Sequence, residues 1–252
     1  MAAALDHIII LVPHATLSAL PASLISAFQV VHGGQHADGL TENKLVVFAD
    51  GVYLELIAFL PGAMETPEGQ AHWWGRKKAG VIDFALTHPS LPSSFPPAYD
   101  SPQAGGRVRP DGKKIEWVVT FPEPTFERGA LPFFCHDKTP RELRVPLDAD
   151  KTAHPSGAVG VAGLTVRVPE KAWEGALPVY EQVFGAKGVV EGEAMVFEVQ
   201  AVTGDEKAQV RLVKGEGAEV SFDEVVVRTA KEDKPAPLEE EFQGRPFRVR
   251  FV

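Results

Sequence analysis

The chain has 252 residues and a mass of 27.3 kDa, and 44% of its residues are apolar, which is enough to bury a sizeable core and excludes wholesale disorder. Its 34 Asp and Glu outnumber 25 Lys and Arg, and the net charge of -9 repels nucleic acid phosphates and anionic membrane surfaces. One cysteine, Cys135, excludes an intramolecular disulfide and a thiolate-rich metal site, so any metal must be held by His, Asp and Glu.

Taken in chain order, Leu5 to Pro13 (LDHIIILVP) is Ile-rich and bounded by proline, which predicts a buried strand. Leu17, Leu20, Leu24, Ile25 and Phe28 fall at helical spacing, with Pro21 early in the run as a possible delay to the helix start. A Gly-rich segment, His32 to Asn43, reads as a polar turn. Two strands follow, Lys44 to Ala49 and Val52 to Phe59, joined at Asp50-Gly51, a hairpin signal. Further on, Asp83 to Pro89, Lys113 to Phe121 and Leu131 to His136 read as strands, with a Pro-rich stretch from Leu91 to Pro102. Gly163 to Pro169 predicts a strand and leads to a helix through Trp173, Leu177, Tyr180, Val183 and Phe184. Strands near Met195 to Val199 and Gln209 to Val213 come next. The acidic, proline-bearing run Lys231 to Gln243 reads as a linker between two last strands, Ser221 to Thr229 and Phe247 to Val252.

This order repeats. The spacing from Pro13 to Pro169 equals that from Phe28 to Phe184, a gap-free match across strand and helix. A weaker copy aligns Asp83 with His7 and Pro89 with Pro13. The chain therefore reads as three βαβββ units and a degenerate fourth. No basic leader and no apolar stretch of about 18 residues is present, so a cytoplasmic location is the expectation. A monomer or a homodimer is the expected state.

The motifs LDHIIILVP, GGQHADGLTEN, DGVYLELIAF, RVRPDGKKIEW, ALPFFCHD and HPSGAVGVAGLTV together resemble the glyoxalase-like domain family of the vicinal-oxygen-chelate superfamily. The resemblance implies an α+β fold in which repeated βαβββ modules form two half-open mixed β-barrels. It implies a site in residues 1–150, made of two paired modules, and a structural role for 151–252. It implies a divalent metal, one of Zn, Ni, Mn, Co or Fe, on ligands from the first and last strands of each module. Carried onto this chain, the ligand set is His7, Glu55, Asp83 and His136. The third copy has Gly163 and Arg211 at the positions of His7 and Glu55, and neither residue suits such a site.

Beside the metal, the resemblance places a substrate-facing loop with His36, Thr41 and Asn43, and Glu55 and His36 are the candidates to move a proton. Arg107 and Arg109 flank a turn near Trp117 and are candidates to clamp an anionic group, since guanidinium pairs bidentately with carboxylate and phosphate. His154 reads as structural, Cys135 has no assignable base partner, and Gly33-Gly34 lacks the Gly-Lys-Ser/Thr of a phosphate loop. Three functions compete. One is a metal-dependent lyase or isomerase that binds two neighbouring oxygens of a small carbonyl or enol substrate and stabilises an enediolate. In place of the His or Gln of glyoxalase I, it has Asp83. The second is a metal-free binding protein whose cleft is lined by Trp73, Trp74, Trp117 and Phe134. The third is an extradiol-type dioxygenase using His7, Glu55 and His136.

Overall fold

The computed structural model describes residues 3–88, 95–109 and 111–252. Strand β1 (Ala4–Leu11) is buried along its whole apolar run, as its Ile-rich sequence requires of a strand flanked on both edges. The single helix expected after it is two: α1 (His14–Ser18) and α2 (Ala22–Ala27), with Pro13 and Pro21 as their N-caps. Proline lacks an N–H and clashes with the preceding turn, so Pro21 ends one helix and starts the next.

The Gly-rich segment is a turn only over residues 37–40. It carries β2 (Val31–Gln35) and the start of β3 (Thr41–Val47), which pairs with β4 (Tyr53–Phe59) across the Asp50-Gly51 turn. A short helix α3 (Pro67–Ala71), capped by the Thr66 hydroxyl, leads into β5 (Gly80–Thr87). Then come β6 (Gln103–Val108), β7 (Lys114–Thr120), β8 (Phe133–Asp137), α4 (Arg141–Arg144) and α5 (Ala149–Thr152). The Pro-rich stretch expected from Leu91 lies outside the described residues as far as residue 94, and residues 95–102 contain no helix.

The last part runs β9 (Ala158–Pro169), α6 (Glu170–Phe184), β10 (Val189–Glu191), β11 (Ala194–Gln200), β12 (Lys207–Gly215), β13 (Ser221–Thr229), β14 (Leu238–Phe242) and β15 (Arg245–Phe251). Strand β14 corrects the expectation of a linker over Lys231 to Gln243. Leu238 and Phe242 are buried while Glu239 and Glu241 point out, so its acidic residues occupy the solvent face of an edge strand.

Among the described residues, all fifteen strands join one mixed sheet. The first eight follow the order β2-β3-β4-β1-β5-β8-β7-β6, with β1/β4 and β5/β8 parallel and β1/β5 antiparallel. The rest follow β10-β11-β12-β9-β13-β15-β14, with β9/β12 and β13/β15 parallel and β9/β13 antiparallel. His7 sits opposite Tyr53 and Gly163 opposite Gln209, so the β1/β4 and β9/β12 ladders share one register. Strands β1 and β11 join the two runs at Ala4 and Gln200. In the first run the outer strands also meet, through the His36–Arg107 bridge and the Ala37 N–H donated to the Gly106 carbonyl at 2.8 Å.

One large apolar cluster packs α1, α2 and α6 against the sheet, centred on Phe28, Phe48 and Tyr180. A second lies within the first eight strands, where Ile9, Ile57, Phe121 and Phe133 meet Trp74. Among the described residues no helix is long and apolar enough to cross a membrane.

The two runs are pinned together by Asp50. Its carboxylate accepts the N–H groups of Val52 and Val161 at 3.0 Å and the Arg228 guanidinium at 3.0 Å. Its neighbour His154 is structural, its ring nitrogens engaging the Gln29 N–H and the Val47 carbonyl. Asp50→Ala strands buried donors and is expected to lower unfolding stability by roughly 2–4 kcal/mol in urea titrations. An unchanged midpoint contradicts this role.

Candidate active site

Within the first eight strands lies a cavity of about 140 Å³. Its wall includes His7 on β1, Tyr53 and Glu55 on β4, Thr41 and Asn43 on β3, His36 after β2, Arg107 on β6 and Trp117 on β7. Trp73, Trp74, Phe121 and Phe133 supply its apolar surface.

His7 is set by a backbone irregularity. The β1/β5 register shifts between Leu5 and His7, leaving Asp6 as an extra residue, so two successive side chains come together rather than pointing to opposite faces. The Asp6 carboxylate lies 2.8 Å from His7 Nδ1. Burial alone pushes the Asp6 pKa up, but Arg141 and Arg144 outweigh it and hold the carboxyl well below the usual range. An ionised carboxylate only accepts, so His7 carries its proton on Nδ1 and presents Nε2 to the cavity. The ring stacks on Tyr53 with centroids 4.6 Å apart and meets the edge of Phe133 at 5.4 Å. The same network fixes Tyr53, whose hydroxyl accepts from Arg144 Nη1 at 2.7 Å, while Arg144 also grips Asp137 through Nε and Nη2.

Glu55 faces both histidines. Its Oε2 lies 3.6 Å from His7 Nε2 and its Oε1 3.6 Å from His36 Nε2. Asn43 Nδ2 donates to Glu55 Oε1 at 2.7 Å and reaches His36 Nε2 at 3.4 Å. With Nε2 accepting, His36 Nδ1 donates to the Thr41 hydroxyl, 2.6 Å away. Burial lowers the His36 pKa against the pull of Glu55 and Asp38, which keeps the ring neutral at pH 7. His7 Nε2 and His36 Nε2 therefore face the two oxygens of one carboxylate, with the Asn43 amide reaching both Glu55 and His36. Two glycines make room for this wall. A Cβ on Gly33 would stand 1.8 Å from Asn43 Oδ1, and one on Gly105 would stand 2.4 Å from Trp117 Nε1.

The expected set His7, Glu55, Asp83 and His136 is not brought together. Asp83 has both oxygens occupied, Oδ2 by Trp74 Nε1 at 2.9 Å and Oδ1 by the Phe84 N–H at 2.9 Å. His136 points to the opposite side of β8 from Phe133 and Cys135, because the strand alternates by two. It packs instead against Phe95, Phe134 and His88, and its nitrogens have no hydrogen-bond partner among the described residues. Burial drops its pKa to about 4. Phe134 faces that side as well, so it does not line the cleft as expected.

Arg109 also lies outside the cavity, held by Asp111 at 3.2 Å and the Leu143 carbonyl at 3.1 Å. Arg107 lies inside it. Cys135 reaches the wall, but burial pushes its thiol pKa up, the opposite of what a nucleophile needs. Arg211 is tied to Glu191 at the surface. Sequence reasoning missed Asp6, Asp137, Arg141 and Arg144. The adjacent Asp-His pair in LDH is the one local signal that could have found the first of them.

With this geometry in view, the comparisons give the class. The model of the glyoxalase-like domain matches residues 5–181, and the chain belongs to that family. Similar solved structures include a hypothetical protein from Staphylococcus aureus, with TM-score 0.68, 16% identity, and 98% of this chain and 99% of that one covered. A xylose isomerase-like TIM barrel/4-hydroxyphenylpyruvate dioxygenase fusion protein gives TM-score 0.51 at 13% identity, covering 92% of this chain and 37% of that one. A triple mutant of 4-hydroxymandelate synthase from Streptomyces coelicolor gives 0.50 at 12%, covering 92% and 72%. These likenesses show the fold, the vicinal-oxygen-chelate fold. No curated protein matches the chain.

Burial raises the pKa of Asp83 to about 6, against the pull of Trp74 and Lys77, and that of Asp50 to about 6 in the same way. A carboxyl with a raised folded pKa stabilises the fold below its unfolded pKa, and that contribution disappears as pH rises through the folded value. Asp83 is therefore expected to contribute a falling slope of stability between about pH 4 and pH 6, worth about 3 kcal/mol, opposite in sign to the rise that neutral His136 contributes over the same range. Asp83→Asn, which cannot titrate, is expected to flatten that slope in urea titrations across the range. An unchanged slope contradicts the assignment.

Proposed function

We propose that the first eight strands form a half-open barrel of two paired βαβββ modules, and that the cavity inside it is the active site of a glyoxalase-like enzyme acting on a small carbonyl or enol substrate. The observation that carries this reading is the meeting of His7 Nε2, His36 Nε2 and the Glu55 carboxylate in one buried cavity, each held in place by a hydrogen bond from behind or beside. Three basic groups facing one another need protons or a cation between them.

The donor types suit a divalent ion of Zn, Ni, Mn, Co or Fe, but only on one side of the site. His7 and Glu55 fit it, whereas the second side offers Asp83, capped by Trp74, and Phe133, which pairs with Ala85 on β5. Among the described residues no group of three or more His, Cys, Asp and Glu side chains is arranged to hold an ion as it stands. His7 and Glu55 are thus the residues that would hold the metal, leaving its other positions to substrate oxygens and water. Such an ion supplies Lewis acidity toward two neighbouring substrate oxygens.

The chain's own residues do the rest. His36, neutral and buried, accepts a proton at Nε2, and the Thr41 hydroxyl holds its Nδ1–H so that the ring keeps its orientation. Glu55 is the second proton-carrying group, kept in line by the Asn43 amide. Trp73, Trp117 and Phe121 exclude water from the reacting atoms.

The reading is tested by metal content and by isotope exchange. Reconstituted protein is expected to bind close to one equivalent of a divalent transition metal, and His7→Ala and Glu55→Gln are each expected to weaken binding by about 10-fold or more. Exchange of the acidic C–H of small hydroxycarbonyl compounds, followed by NMR in D2O, is expected to drop by roughly 100-fold in His36→Ala. Less than about a tenth of an equivalent of any transition metal after reconstitution contradicts the metal assignment. Exchange that survives both His36→Ala and Glu55→Gln contradicts the proton-transfer assignment.

A further inference from the structure

The cavity wall holds one buried cation with no carboxylate on it. Arg107 is 4% exposed, yet among the described residues no Asp or Glu lies within ion-pair distance of its guanidinium. Its one hydrogen bond runs from Nη2 to the Arg144 carbonyl at 2.9 Å, which leaves its remaining N–H groups available to the cavity it lines. Burial lowers its pKa, against the more distant pull of Tyr53 and Glu55. Arg144, the other arginine of the wall, differs in being gripped by both Asp6 and Asp137.

The fold maintains this arrangement. Arg107 stands on β6 opposite Ile115 and bridges to His36 across the meeting of β2 and β6. Gly33 leaves the space beside it open, since a Cβ there would lie 2.8 Å from Arg107 Nη1. The neighbouring Asn43 Oδ1 is a buried acceptor with no hydrogen-bond partner among the described residues.

A buried guanidinium without a counter-charge is costly to the empty protein and is balanced when a ligand brings the anion. We infer that Arg107 is the anchor for a carboxylate, and that the substrate is a small monocarboxylate carried on a flat apolar body. This rests on the reading of the cavity as the substrate site. A planar guanidinium edge matches a carboxylate in two parallel hydrogen bonds. One guanidinium without an ion-pair partner among the described residues, with Glu55 and Asp38 on the same wall, suits a monoanion and disfavours a dianion such as a phosphate monoester. Trp117, Trp73 and Phe121 present flat apolar surface, and a cavity of about 140 Å³ is close to the volume that takes up one benzene-sized ring.

The probe pair is benzoate and benzamide, equal in shape and differing in charge, with binding measured by calorimetry and ligand-observed NMR in the presence of a chelator so that no metal contributes. Wild-type protein is expected to bind benzoate about tenfold more tightly than benzamide. Arg107→Gln is expected to weaken benzoate roughly 30-fold and leave benzamide unchanged, and Arg107→Lys to keep part of the preference. Equal binding of the two probes by wild-type protein, or a preference that survives Arg107→Gln, overturns the inference and leaves the cavity reading intact. Absence of binding by both probes overturns the inference together with the cavity reading. The wild-type comparison needs no variant to fold.

Discussion

The arrangement depends on a buried carboxylate next to a histidine. Asp6 sits at the bulge in β1, fully buried, and gathers Arg141, Arg144 and the His7 ring around it. Without the two arginines a carboxylate at that depth would be neutral, and His7 would lose the acceptor that fixes its tautomer. Without Asp6, buried Arg144 would keep only Asp137 as a counter-charge. The same two arginines tie α4 to β8 through Asp137 and to β4 through the Tyr53 hydroxyl, so one network sets both strand packing and the direction of His7 Nε2.

A division of roles between the strands follows from this. Of the basic groups that line the cavity, His7, His36 and Glu55 come from the segment β1 to β4, and His72, beside Asp38, follows α3. Strands β6, β7 and β8 contribute what surrounds the chemistry: the Arg107 guanidinium, the Trp117 ring and the Phe133 floor. On the second side Asp83 is fastened to Trp74, Phe133 stands where the first side has Glu55, and His136 is turned away toward Phe95.

How much of this the sequence discloses follows from the physics of each element. The Ile-rich β1, the Asp50-Gly51 hairpin and α6 are legible because buried apolar residues recur at the period of the element. Strand β2 escaped because His-Gly-Gly-Gln has no apolar alternation, and β14 because glutamates dominate its composition while only Leu238 and Phe242 face in. The family resemblance paired His7 in LDH with Glu55 in YLEL, and the parallel β1/β4 register brings them to one side. The orientation of His136 depended on the parity of a four-residue buried run, Phe133 to His136, which composition cannot fix. Asp6 was hidden for a related reason: alternation assigns it to the face opposite His7, and only the bulge reverses that. Arg144 lies far along the chain on a four-residue helix, and nothing local announces its partner.

The central claim is that Asp6 makes His7 an Nδ1–H imidazole whose Nε2 lone pair faces Glu55. Long-range proton–nitrogen correlation spectra of the histidine side chains test it directly, recorded with and without a stoichiometric divalent zinc salt. The account predicts a protonated Nδ1 and an unprotonated Nε2 for His7 in the metal-free protein, with the Nε2 resonance moving when zinc is added. A proton found on Nε2 with Nδ1 bare, or an Nε2 resonance indifferent to zinc, would contradict it.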